Sequence, residues 1–380
     1  MTTRIACALA AFLLFLTACG GGETTPEAVS AEDVPPLRLA LADILSVAEE
    51  SAAAMESLDE LCQRAFPAGP IRTDITVGLV ADVASIDDGT FNQAAFEGME
   101  AAGRCFGVDT TFLESAGDDA EVQINSMTER DVDIVITVGF QFEAATQAAV
   151  IDRPDLRFIG VDQNNPTEAA NYVAMSFQDH QVGFLAGTAA ALLSETGTVA
   201  VIAGPDTIPP VVAIADGFEA GVRNTAPETE VLRRHLSGFN DGGEGATTAD
   251  EVIQQGADVV FGAAGEAGAA AIHAAAAKGA SVIGVDQDEY FTTFLGGGDP
   301  NADALVTSAI KRVDLGVFLT VAAMVAGDLE VGGSILMDAA NGGVTYAPFH
   351  EADVPASVAT KLEAVRAALA SGELDATGTD

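Results

Sequence analysis

One short apolar run ending in an aspartate occurs twice, and that repetition restricts the fold more than any other feature of the chain. The first copy is Arg157-Phe158-Ile159-Gly160-Val161-Asp162-Gln163-Asn164, and the second is Ser281-Val282-Ile283-Gly284-Val285-Asp286-Gln287-Asp288. Three other pairs share the order and a nearly constant offset of 122 to 125 residues. Val77-Gly78-Leu79-Val80 returns as Val199-Ala200-Val201-Ile202, Phe96-Glu97-Gly98 as Phe218-Glu219-Ala220, and Asp133-Ile134-Val135 as Asp258-Val259-Val260. Strand patterns at 75–80, 108–113, 134–138, 158–161 and 172–177 alternate with helical ones, and the plan repeats from residue 179. Alternation of this kind predicts two doubly wound α/β lobes with parallel sheets. Ligands of open parallel sheets bind beyond the carboxyl ends of the strands, so facing lobes place Asp162 and Asp286 across one cleft.

A chain of 380 residues exceeds what one hydrophobic core usually serves. The repeat offset ends after Asp288, and the tail is expected to pack on the pair rather than build a third lobe. The expected division is 75–177 plus 305–332 for the first lobe and 178–304 plus 333–380 for the second. Hinge crossings are expected near Phe177, Leu305 and Gly332. Ahead of the lobes, 37–66 reads as one long amphipathic helix stopped by Pro67 and Pro70, a helical preface within 37–70.

Charge narrows the function. Lys+Arg 16 against Asp+Glu 57 gives a net −41, which excludes the clustered cations that nucleic-acid binding needs. No phosphate-binding Gly-rich loop, nucleophile elbow, Cys-x-x-Cys or His-Glu-x-x-His is present, and His180, His235, His273 and His350 are scattered. With no nucleophile, base or metal set and no cofactor motif, the lobes point to binding rather than turnover.

Residues 1–18 read as a signal peptide: Arg4, an apolar run, then Leu16-Thr17-Ala18-Cys19. That ending resembles the lipobox of bacterial lipoproteins, which implies lipidation at Cys19 and export with attachment to the outer face of the cell membrane or in the periplasm. Residues 19–36 have linker composition. Cleavage removes Cys7, leaving Cys62 and Cys105 as candidates for one disulfide, with two separate buried thiols as the alternative.

Asp82-Val83-Ala84-Ser85-Ile86-Asp87-Asp88-Gly89-Thr90-Phe91-Asn92-Gln93 carries the most specific signal. Thr90 and Gln93 are spaced as a capping box, which leaves Asp82 at a strand end and Phe91 beside Asn92 unexplained. This stretch resembles the basic membrane protein family of bacterial lipoproteins, also called the purine nucleoside receptor family. Further blocks of that family are similar to Gly183-Phe184-Leu185-Ala186-Gly187, Pro209-Pro210-Val211, Asp216-Gly217-Phe218-Glu219-Ala220-Gly221, Ile283-Gly284-Val285-Asp286 and Lys311-Arg312-Val313-Asp314. The helical preface and Gly296-Gly297-Gly298-Asp299-Pro300-Asn301 depart from the family pattern.

The resemblance implies a type I periplasmic binding protein fold and a substrate-binding component of an ABC importer, with a nucleoside ligand and permease partners. It implies that Phe91 and Phe218 sandwich a purine and that Asp82 and Asn92 bond the base edge or ribose. It further implies that Asp162 and Asp286 take sugar hydroxyls, that Gly265 admits a close backbone approach, and that Lys311 neutralises the carboxylates from behind. Phe218 as core and Lys311 as a hinge ion pair are the competing structural readings. A flat-ring ligand such as a flavin, or a sensory lipoprotein of the same fold, is the alternative function.

Overall fold

Runs such as Ile134–Val138, buried at every residue, can form strands only in sheets covered on both faces, and the structure builds two of them. The computed structural model describes residues 57–65, 74–81, 85–113, 119–166, 168–325 and 332–378. The signal peptide, Cys19, Asp82 and most of the preface lie outside the described residues.

In the first lobe, β1 (Thr76–Ala81), β2 (Asp109–Leu113), β3 (Ile134–Val138), β4 (Arg157–Val161), β5 (Tyr172–Phe177) and β11 (Gly333–Met337) form a sheet in the order β11-β5-β4-β3-β1-β2. All its pairings are parallel. The second sheet has the order β12-β10-β9-β8-β6-β7. It is built from β6 (Thr198–Ala203), β7 (Glu230–His235), β8 (Val259–Ala263), β9 (Ser281–Asp286), β10 (Leu305–Lys311) and β12 (Val344–Tyr346). Only β12 runs antiparallel, against β10. The duplicated runs therefore occupy equivalent places, β4 beside β3 and β9 beside β8.

The tail departs from expectation. β10 is hydrogen-bonded to β9, so residues 305–311 belong to the second sheet and not to the first lobe. All seven residues of β10 are buried, which requires a partner strand and a covered face on each side. The chain crosses only after Lys311. The helix Val313–Val325 and then β11 pack in the first lobe, and β12 returns to the second. The crossings expected at Leu305 and Gly332 thus come at Lys311–Val313 and after Met337. Neither β11 nor β12 was anticipated from the sequence.

The helices are labelled in chain order: α1 (Leu58–Ala65), α2 (Phe91–Phe106), α3 (Ala120–Thr128), α4 (Glu143–Asp152), α5 (Asp179–Leu193), α6 (Pro209–Thr225), α7 (Gly242–Gln254), α8 (Gly265–Ala276), α9 (Glu289–Thr292), α10 (Val313–Val325) and α11 (Ala356–Ser371). Glycines bring α5 and α6 into backbone contact. A Cβ on Gly187 would lie 2.1 Å from Phe218 O, and one on Gly217 would lie 2.1 Å from His180 O. Two of the family blocks are therefore helix-packing motifs that let backbones touch.

α1 seals the first lobe. Leu58 and Leu61 enter its core, and a disulfide joins Cys62 to Cys105 on α2 with a Cα–Cα distance of 5.8 Å. The bridge closes a loop with a sequence separation of 43 residues. Loop-closure entropy for that length is worth about 4 kcal/mol. Urea unfolding of Cys62→Ser/Cys105→Ser should show a deficit of about 2–4 kcal/mol, and reductant should have no further effect on that variant. An unchanged midpoint would mean that packing of α1 alone holds the lobe.

Candidate ligand-binding cleft

The carboxyl ends of both sheets meet around one side chain, Lys311. Its side chain, the last of β10, is 2% exposed. Nζ donates to Asp162 Oδ2 at 2.6 Å and lies 2.9 Å from Asp179 Oδ1. The second contact is an ion pair whose geometry is poor for a hydrogen bond. Nζ also sits 5.1 Å from the centroid of the Phe91 ring and 4.8 Å from that of Phe177, within cation–π range. Asp162 ends a first-lobe strand, Asp179 opens the first helix of the second lobe, and Lys311 ends a second-lobe strand. The ion cluster therefore straddles two of the three crossings.

Both strand-end aspartates leave their strands in the left-handed region, Asp162 at φ 57° and Asp286 at φ 65°. Few residues other than glycine accept that conformation, and Asp does so because its short side chain bonds locally. The turn aims each carboxyl away from its sheet and into the space between the lobes. Asp162, Asp286, Phe91, Asn92, Gly265 and Lys311 all line an inner cavity of about 90 Å³, together with Asp88 and Phe239. It adjoins an outer cleft of about 720 Å³, with Phe140, Gln141, Ile208 and Phe239 on both walls.

Acid outnumbers base in this cavity. Burial pushes Asp286 up to about 7, against the pull of Lys311 and helped by Asp162, Asp88 and Asp179. Desolvation likewise raises Asp179 to about 7, opposed by Lys311. Asp88 is raised by burial although three backbone N–H groups oppose the shift. Lys311, surrounded by these carboxyls, is held above its ordinary value despite its own desolvation. One cation therefore serves several buried carboxyl groups, and burial shifts Asp179, Asp286 and Asp88 towards their protonated forms.

The start of α2 is organised otherwise than its spacing suggested. Thr90 makes no side-chain cap; Asp88 accepts from the N–H groups of Thr90 at 2.8 Å, Asn92 at 3.1 Å and Gln93 at 3.1 Å. Gln93 Oε1 accepts instead from Gly89 N–H at 3.1 Å. A carboxylate at a helix N-terminus satisfies orphan donors and the dipole together. It fixes the turn that presents Phe91 and Asn92 to the cavity.

Phe218 is not at the site. It is fully buried in the second lobe, stacked on Phe261 with centroids 5.6 Å apart. The glycines flanking it bring α5 within contact and enclose the ring, so the core reading holds. The aromatic that the second lobe does bring to the cavity is Phe239, in the loop after β7. Its ring leans over Gly204, where an added Cβ would lie 2.4 Å from Phe239 Cε1. Phe239, Phe140 and Asp179 were missed. Phe239 and Phe140 both follow the carboxyl end of a strand, and that position was the available signal; Asp179 read only as a helix-opening acid.

Two hydrogen bonds join the lobes at one rim of this cavity. Gln287 Nε2 donates to Thr90 O at 2.8 Å, and Thr292 Oγ1 donates to Gly89 O at 2.9 Å. Among the described residues no group of three or more His, Cys, Asp or Glu could hold a metal ion, and no helix is long and apolar enough to cross a membrane.

Residues 75–369 match the family of ABC transporter substrate-binding proteins described as PnrA-like, Bmp. The chain belongs to that family. An ABC transporter nucleoside-binding protein, BmpA, of Lactococcus lactis is 28% identical over 259 residues, covering 64% of this chain and 73% of its own. A CD4+ T-cell-stimulating antigen of Listeria monocytogenes is 26% identical over 316 residues, covering 79% and 87%. Among solved structures, an ABC transporter solute-binding protein of Aeropyrum pernix superposes with a TM-score of 0.70 at 22% identity, covering 79% of this chain and 92% of that one. That likeness shows the fold, a pair of lobes of the periplasmic binding protein type. As a Bmp-family member the chain is the substrate-binding part of an ABC transporter, a role in which the protein works with permease subunits and outside the cytoplasm.

Proposed function

We propose that this Bmp-family protein captures a nucleoside, preferentially a purine, between its lobes and hands it to the permease of an ABC importer while a lipid at Cys19 holds it to the membrane. The observation that carries the reading is the meeting of two left-handed strand-end aspartates, a buried lysine and Phe91 in one cavity. A ribose offers hydroxyl donors to Asp162 and Asp286, and a base offers an edge to Asn92 and a face to Phe91. Phe239 takes the second aromatic place that Phe218 cannot fill. Charged hydrogen bonds contribute about 1.5–3 kcal/mol each and base stacking about 1–3 kcal/mol. The name of the Lactococcus relative supports the nucleoside as ligand.

An inner cavity of about 90 Å³ is small against the 300–1,000 Å³ usual for ligand sites. Entry therefore requires the lobes to part about the crossings, breaking the Gln287–Thr90 and Thr292–Gly89 contacts, and closure restores them. Calorimetry with guanosine, inosine, adenosine, cytidine and uridine tests the ligand. At least one purine nucleoside should bind, and silence from all five would end the nucleoside reading. Phe91→Ala should weaken binding at least tenfold, about 1.4 kcal/mol, within the range of one lost stacking contact. An unchanged dissociation constant would remove Phe91 from the site.

A further inference from the structure

Two residues before each strand-end aspartate the chain places a glycine, and neither glycine touches the cavity. A Cβ on Gly160 would lie 2.2 Å from Tyr172 Oη and 2.5 Å from Gln163 Oε1. One on Gly284 would lie 2.6 Å from Ser308 Oγ and 2.8 Å from Glu289 Oε1. Both glycines thus make room for a buried polar side chain behind the aspartate turn. In the first lobe that side chain is Gln163, 1% exposed. Its Nε2 donates to Gly139 O at 3.0 Å, and its Oε1 accepts from the Tyr172 hydroxyl at 2.9 Å. In the second lobe it is Glu289, fully buried. Glu289 Oε1 accepts from Val285 N–H at 2.9 Å, and Oε2 accepts from the Thr293 hydroxyl at 2.5 Å. Its backbone N–H donates to Ser308 Oγ at 3.0 Å. These bonds tie the residue before Asp286, the helix after it and the neighbouring strand β10 into one unit.

We infer that Glu289 is the positioning residue for Asp286, holding the left-handed turn that turns the aspartate carboxyl into the cleft, as Gln163 does for Asp162. A left-handed residue other than glycine carries strain, less for Asp than for most, that its surroundings help to offset. Two bonds meet the backbone immediately before that residue: Gln287 N–H donates to Val285 O at 2.7 Å across the turn itself, and Glu289 Oε1 accepts from Val285 N–H at 2.9 Å. Without the Glu289 carboxyl the turn keeps only the Gln287–Val285 bond, and Asp286 can relax to negative φ and withdraw its carboxyl from the cleft. Desolvation raises Glu289 to about 8, which accords with a carboxyl kept for its shape and its acceptor atoms in a dry site. The two lobes solve one problem with different chemistry, an amide in one and a carboxyl in the other.

This inference rests on Asp286 contacting the ligand, so the test separates the two. Calorimetry with guanosine and inosine would compare Glu289→Ala, Glu289→Gln, Asp286→Asn and the double variant Asp286→Asn/Glu289→Ala. Glu289→Ala should weaken binding at least tenfold. Glu289→Gln should stay within threefold, because its amide oxygen can accept from Val285 N–H and its NH₂ can donate to Thr293. In the double variant, Glu289→Ala should add less than twofold to the loss from Asp286→Asn. Independent losses that multiply would overturn the inference and leave Glu289 a purely structural residue. If Glu289→Ala does not fold, Gly284→Ala makes the same comparison, since its methyl displaces Glu289 Oε1. If Asp286→Asn costs nothing, the ligand reading fails instead. A crystal structure of Glu289→Ala or Gly284→Ala then still decides: Asp286 leaving positive φ supports the brace, and Asp286 unmoved overturns it.

Discussion

Lys311→Met should lower the unfolding free energy at pH 8 by about 3–5 kcal/mol, the usual result of leaving buried charges without their partner. The lysine contacts Asp162 and Asp179 and opposes the desolvation of Asp286. Methionine fills similar space, so the deficit is electrostatic rather than a cavity effect. Its pH dependence is the diagnostic part. Stranded carboxyls bind protons more tightly in the folded chain than in the unfolded one. Folding therefore takes up protons, and the variant should recover stability as the pH falls. Urea midpoints measured at pH 8 and pH 5 should converge on the wild-type values at the lower pH. A deficit equal at both would show that Lys311 contributes packing and not charge compensation.

The unsubstituted protein should itself lose stability as pH rises from about 5 to about 8. Asp179 and Asp286 stand near 7 and Glu289 near 8, against ordinary values of 3.8 and 4.5. At pH below the ordinary values both states are protonated and these groups make no difference. Between those values and 7 to 8 the folded chain keeps protons that the unfolded chain has released, so each pH unit favours unfolding. The slope is about 1.4 kcal/mol per pH unit for each proton retained, and it vanishes once the folded groups also ionise. Asp258, whose hydrogen bonds hold it below its usual range, acts with the opposite sign and only under more acidic conditions. Chemical unfolding across pH 5–9 should show at least one proton's slope, and Asp286→Asn should reduce it. A flat profile would mean that these carboxyls are already ionised in the fold.

The duplicated aspartate run makes the two-lobe plan and the facing of Asp162 and Asp286 legible in the sequence. Buried parallel strands announce themselves as apolar runs, and a strand end at a polar residue marks the binding edge. The family resemblance likewise pointed to Phe91, Asn92, Gly265 and Lys311, all of which line the cavity. Phe218 was misassigned because motif membership does not separate contact with ligand from contact between helices. The glycines at 183, 187, 217 and 221, spaced for backbone contact, were the sign that its ring is enclosed. The crossings were displaced because a chain passing between lobes needs no turn signal where β10 runs straight into α10. Asp179 was invisible for another reason: nothing local distinguishes an acid that caps a helix from one drawn to a lysine 132 positions later.

The bridge from Cys62 to Cys105 bears on which part of the molecule stays still. It fastens the segment that enters at Ser57 to α2, a first-lobe helix. Pulling force arriving along that segment is therefore borne by a covalent bond into the first lobe and reaches the second through the three crossings and through the Gln287–Thr90, Thr292–Gly89 and Lys311–Asp162 contacts. For a chain held by that end, the proposed parting of the lobes would keep the first lobe beside the hold and give the second the movement. A partner that reads ligand occupancy by displacement would find the longer travel on the second lobe, at the rim carrying Gln287 and Thr292.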